Sequence, residues 1–219
     1  MNRRPIVGVL ASLALFAGAA AHGHEVRPVC GLAVMEEESA RDALALDVEL
    51  ARSELVARQE VYDLLEDLWE GEATERMRYL AGKYDRDRTE VDLARKQARL
   101  ARQEAYLAWL IAVCGEEPRA AADDAQAIRA EAEERYLAAE CEVRRHDIEV
   151  ARVDQEWAAV WLASIRDLRE HSVATRPDII DAEYDVRKAE QRMAAAVARA
   201  RRCAPQSDRG ATPKSENGP

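Results

Sequence analysis

Apolar and polar positions interleave at helical spacing along most of the chain, and the pattern is sharpest towards its C-terminal end. There Ile179, Ala182, Val186, Ala189, Met193, Ala196, Ala200 and Cys203 recur at alternating steps of three and four, the seam spacing of a coiled coil. Most occupants of the seam are small, so the helix that packs on it can approach closely. The spacing predicts a helix over 178–202, with Pro177 just before it and Asp178 at the positive end of its dipole. Residues 171–177 form the turn that leads in. Before the turn, an apolar series that includes Val143, Val150, Val153, Trp157, Trp161 and Ile165 predicts a long helix over 120–170.

Earlier in the chain the signals are similar but less regular. Residues 35–80 hold no Pro and one Gly, Gly71, and read as one long helix bent there. The stretch AGKYDRDR, 81–88, concentrates a glycine with charged residues and predicts a turn. A second helix then runs over 89–113, ended by Gly115 and Pro118. Its seam is Val91, Ala94, Ala98, Ala101, Ala105, Ala108 and Ala112, and Leu93, Leu100, Leu107 and Ile111 form a second apolar stripe. One stripe serves the hairpin partner and the other a neighbouring hairpin. The offset that carries Trp69 onto Trp157 also carries Leu80 onto Leu168, Val91 onto Ile179 and Ala94 onto Ala182, and it superposes the two expected turns. A duplicated helical hairpin is the simplest reading, with chance agreement in Ala-rich helices as the alternative. The fold class is therefore all-α: two long antiparallel hairpins, 36–114 and 121–203, joined by a link at 115–120 into a coiled-coil-like four-helix assembly.

Composition agrees with helices and narrows the partners. The chain is 34% charged with a single Phe, the bias of long helices that bury seams instead of a bulky core. Its 42 acidic and 32 basic residues give a net charge of −10, and the basic residues are scattered along the sequence, which argues against nucleic acid as a partner. At the start, Arg3 and Arg4 precede an apolar run from Ile6 to Phe16 and the small residues Ala19, Ala20 and Ala21. This is the pattern of a secretory signal peptide, 1–21; the alternative, a membrane anchor, needs roughly 20 apolar residues. No later run is long enough to span a bilayer, so the mature chain is expected to carry no membrane-spanning segment and to reside in the periplasm, in solution or associated with the outer membrane. The polar, Pro- and Gly-containing residues 204–219 read as a disordered tail.

Four cysteines in an exported chain suggest two disulfides; free buried thiols are the alternative. Cys141 precedes Ser172 by as many residues as Cys203 follows it, so a hairpin turning at Ser172 brings the two level. That leaves Cys30 with Cys114, which the turn expected near Tyr84 does not place opposite each other. Each bridge would clamp the open end of a hairpin. In the N-terminal segment 22–35, cleavage after Ala21 exposes His22-Gly23-His24, whose amine, amides and third-position imidazole can wrap a square-planar copper(II) or nickel(II) ion. The bland alternative is a frayed polar terminus. No Ser-His-Asp set, phosphate loop or spaced His and Cys cluster is evident, so no enzymatic activity and no cofactor is expected.

The run VATRPDIIDAEYDVRKAEQRM, with RYLAGKYDRDRTEVDLARKQARLA in the first half, resembles the hairpin segments of the TolC family of outer-membrane efflux proteins. The likeness lies in the small-residue turn Val173, Ala174, Thr175 and Arg176, followed by Asp178, two aliphatics, Asp181-Ala182 and Ala189-Glu190-Gln191. In that family the motif marks the periplasm-facing tip of duplicated hairpins that line a tunnel built from three protomers. The resemblance covers the hairpin part alone, since the link after Cys114 has no room for barrel strands. It implies a non-catalytic periplasmic protein that acts through helix-helix contacts in an envelope transport complex, with an efflux adaptor or a second copy as partner. The expected contact residues are the exposed turns: Lys83, Tyr84, Asp85, Arg86, Asp87 and Arg88 at one, Ser172 with Val173 to Arg176 at the other. The alternative is a periplasmic copper- or nickel-binding protein using His22 and His24.

Overall fold

The C-terminal seam forms as its spacing predicts. In the computed structural model, which describes residues 26–71, 75–114 and 122–203, helix α4 (Arg176–Ala200) buries Ala182, Ala189 and Ala196. Between them Ile179, Val186 and Met193 are half-buried. This face lies on α3 (Ala122–Glu170), where Ile165, Ala174 and Ala182 form a small core with Trp161, Leu162 and Leu168 packed around it. Helix α4 starts slightly earlier than expected. Thr175 caps it: its backbone N–H and its hydroxyl donate to Asp178 at 2.7 and 2.6 Å, and these bonds hold the Asp178 carboxyl below the usual carboxylate range.

The turn before α4 closes α3 with a Schellman motif. The Val173 N–H donates to the Leu168 carbonyl at 2.9 Å and the Ser172 N–H to the Arg169 carbonyl at 3.0 Å. Ser172 takes the left-handed position with φ of 60°, one that glycine fills without steric cost. Replacing Ser172 by Gly is expected to stabilise the protein by about 0.5–1 kcal/mol, read as a higher urea midpoint. A lower midpoint would show that the serine side chain contributes more than its strain costs.

The first hairpin is built differently from the expectation. Helices α1 (Val26–Glu70) and α2 (Arg76–Cys114) meet at a turn beginning at Gly71, and residues 81–88, expected to be that turn, are helical inside α2. Gly82 is there for close approach and does not break the helix: a Cβ on it would collide with the Cδ1 methyl of Leu65 on α1. The N-terminal segment is likewise helical from Val26, about two and a half turns before residue 35, with Pro28 in the first turn where its missing N–H costs nothing. With the first turn at Gly71, the offset that superposes Trp69 on Trp157 no longer superposes the turns. The two hairpins are not register-matched copies along that offset. Both expected disulfides are formed, Cys30–Cys114 with Cα atoms 5.7 Å apart and Cys141–Cys203 with 5.4 Å, the latter Cys ending a 3-10 turn after α4. The expected signal peptide at 1–21, the expected link at 115–120 and the expected tail at 204–219 lie outside the described residues.

Packing runs in succession. Helix α1 lies on α2, α2 on α3 and α3 on α4, giving an all-α assembly with no strand among the described residues. Of the two apolar stripes expected on α2, Ala98 and Leu107 are buried, whereas Ala101, Ala108 and Ile111 are exposed. An ion-pair ladder sets the register of α2 on α3: Arg88–Asp154 at 2.7 Å, Arg95–Asp147 at 3.9 Å and Arg102–Glu140 at 3.1 Å, each rung one heptad beyond the last on both antiparallel helices. Among the described residues, no helix is long and apolar enough to cross a membrane.

Candidate functional site

The turn residues singled out from the sequence fall in two different settings. At the second turn, Ser172, Val173, Thr175 and Arg176 are exposed, whereas Ala174 is buried in the α3–α4 core and is unavailable to a partner. The expected first tip is a packing seam inside the molecule. Tyr84 stacks on Trp157 of α3 with ring centroids 4.8 Å apart and donates its hydroxyl to Asp154 at 3.1 Å. Arg86 lies 4.1 Å from the centre of the Tyr62 ring on α1, pairing also with Asp87, while Asp85 accepts from Arg58 of α1 at 3.3 Å. Arg88 forms a rung of the ladder, and only Lys83 and Asp85 of this group are exposed. His22 and His24 lie outside the described residues. Among the described residues, no group of three or more His, Cys, Asp or Glu side chains is placed to hold a metal ion.

The fold assembles a site that the linear sequence conceals. Where α4 ends, a groove of about 630 Å³ opens with α2 and α3 at its base and the edges of α1 and α4 above. Its walls carry Arg99 and Arg102 from α2, Arg144 from α3, Arg199 from the end of α4 and Arg202 from the 3-10 turn that follows it. Two carboxylates, Glu140 and Asp147, face them, and Leu44, Val143 and Ala198 supply apolar wall. Glu140 organises the cluster, accepting from Arg102 at 3.1 Å and from Arg144 Nη2 at 3.0 Å. Partial burial pushes the Glu140 carboxyl up, but the two guanidinium partners outweigh it and hold the group below the usual carboxylate range. Arg144 also donates from Nη1 to the Arg199 carbonyl at 3.1 Å, covering part of the negative end of α4. The Arg99 and Arg199 guanidiniums form no ion pair among the described residues.

No protein-family model, curated protein or solved structure matches the chain. Its surface therefore has to speak for itself.

The second surface feature is on α1. This helix buries Val48, Ala51, Tyr62 and Leu65 against α2. On its opposite side Leu46, Leu50, Ser53, Ala57, Val61 and Leu64 follow steps of three and four and are all exposed, Leu46 and Leu50 at 68% each. Leu32 and Met35 extend the same stripe towards the N-terminus. Acids flank it, with Asp42, Glu49 and Glu60 on one side and Glu36, Asp47 and Glu54 on the other. The outer face of α4 carries exposed Ile180 and Tyr184 with Arg176, Arg187 and Lys188, and the exposed acids Asp181 and Asp185 lie at its edge. Heptad spacing of Leu46, Leu50, Val61 and Leu64 was present in the sequence as a second period on the first helix. The groove had a fainter signal: the hairpin arithmetic that levels Cys141 with Cys203 brings Arg144 level with Ala200, within one helical turn of Arg199 and Arg202.

Proposed function

We propose that the protein is a non-catalytic helical-hairpin component of the cell envelope that works by laying the outer stripe of α1 against the outer face of α4 of a second copy. The observation that carries this reading is the exposed heptad stripe of α1. A helix that already buries one apolar face and shows water another of coiled-coil spacing is built for a further helix. The acidic flanks of that stripe and the basic residues around Ile180 and Tyr184 select α4 of another copy, because opposite charges at the edges of a helix seam favour the pairing. Such a contact is heterologous, so repetition closes a ring or extends a filament.

The setting in an export-side transport complex draws on the leading apolar segment, the two disulfides and the likeness of the second turn to the hairpin tips of TolC-type channels. The likeness rests on that turn, since the matching stretch in the first half is helical within α2. Light scattering on the full mature chain tests the contact. A mass above the monomer is expected, falling to the monomer in Leu50→Glu/Val61→Glu with helicity by circular dichroism unchanged. Burial of each such side chain contributes about 1.5–3 kcal/mol, so their loss weakens association by roughly a hundredfold or more. A monomeric wild-type protein, or an oligomer indifferent to these substitutions, would overturn the reading. A pull-down from envelope extract that recovers no transport component would remove the setting while leaving the self-association intact.

A further inference from the structure

We propose that the arginine groove at the end of α4 is a binding site for a small polyanion carrying several phosphate- or carboxylate-type groups. The chain as a whole has a net charge of −10, yet here, among the described residues, five guanidiniums face two carboxylates across one groove. Like charges gathered this closely repel one another, and the fold keeps them together with only partial internal neutralisation. Glu140 is already shared between Arg102 and Arg144, and Asp147 lies 3.9 Å from Arg95 of the ladder. The positive charge left over belongs chiefly to Arg99 and Arg199, which form no ion pair among the described residues. An oxyanion is the complement this leaves open, because guanidinium forks match phosphate and carboxylate oxygens in pairs.

The geometry suits a ligand with more than one anionic group. The arginines come from three helices and converge from both sides of a groove of about 630 Å³, within the range of sites that hold compact ligands. Arg102 and Arg144 are held in place by Glu140, so part of the ordering cost of binding is met before a ligand arrives. The carbonyl end of α4 is unfavourable to an anion. The bond from Arg144 to the Arg199 carbonyl reduces that repulsion. The Cys141–Cys203 bridge pins the α3 and α4 walls together beside Glu140, Arg144 and Arg202. This site is separate from the outer stripe of α1 and needs no assumption about self-association.

Calorimetric titration of the full, oxidised mature chain with tripolyphosphate and with orthophosphate tests the proposal. Saturable binding of tripolyphosphate is expected, at least about tenfold tighter than orthophosphate, and weakened by high salt as an ionic site must be. Arg99→Gln is expected to weaken it about tenfold and Arg99→Gln/Arg199→Gln about a hundredfold. Neither side chain holds an ion pair among the described residues, so the helical signal and urea midpoint should not change. Arg135→Gln and Arg152→Gln, on exposed parts of α3, serve as controls and should bind as the wild type does. Absence of saturable binding, or equal weakening in the controls, would overturn the site.

Discussion

Removing either disulfide by paired serine substitution is expected to cost about 4 kcal/mol of stability, and the two losses should be nearly equal. The bridges close loops of similar size, with sequence separations of 84 and 62, and loop-closure entropy grows only with the logarithm of length. Their local effects should differ sharply. Helix α4 is the shortest at 25 residues, it packs chiefly on α3, and its fully buried seam positions are alanines, so little apolar area holds it. Without Cys141–Cys203 its amides are expected to exchange many times faster, while α1 and α2 stay protected. Without Cys30–Cys114 the faster exchange should centre on the ends of α1 and α2 that the bridge joins. Urea unfolding and hydrogen exchange of C30S/C114S and C141S/C203S check both statements, and matching exchange patterns in the two variants would contradict the assignment of α4 as the weaker element.

The second large effect concerns the alanines of the α3–α4 seam. Ala182 and Ala196 are each 2% exposed, so a longer side chain at either position presses directly on α3. Ala182→Leu/Ala196→Leu is expected to cost about 4 kcal/mol, since overpacking at each site costs roughly 1–3 kcal/mol and both push the same helix outward. Leucine also has nearly alanine's helix propensity, so the loss reports packing. Ala194→Leu/Ala195→Leu, on the exposed side of the same helix, should change the urea midpoint little. Similar losses from both pairs would mean that the seam is not the closely packed face.

These residues also show why parts of the fold were legible. The α4 seam was plain in the sequence because small apolar positions stand in a charged background at constant spacing, and the turn before it carries Ser172 and Pro177. The first turn was misplaced because Gly82 looked like a breaker. A glycine that admits Leu65 against the backbone and a glycine that ends a helix look the same in a sequence. The cysteines held the answer: the midpoint between Cys30 and Cys114 falls one residue past Gly71, between the end of α1 and the start of α2. Tyr84 and Arg86 were mistaken for tip residues for the same reason, and their aromatic and cationic character serves packing on Trp157 and Tyr62. The arginine groove was hidden because its members are distant in sequence and come from three helices. Only the pairing of helices turns a scattered charge pattern into a concentrated one.

The order of packing carries one more consequence. Because α2 lies on α1, α3 on α2 and α4 on α3, a chain emerging from its N-terminus always finds the surface for its newest helix already made. No helix has to wait for a distant segment, and each closure spans a short connection. Assembly can proceed like courses of brick, and the last course, α4, completes the groove and is then locked by the last cysteine of the chain.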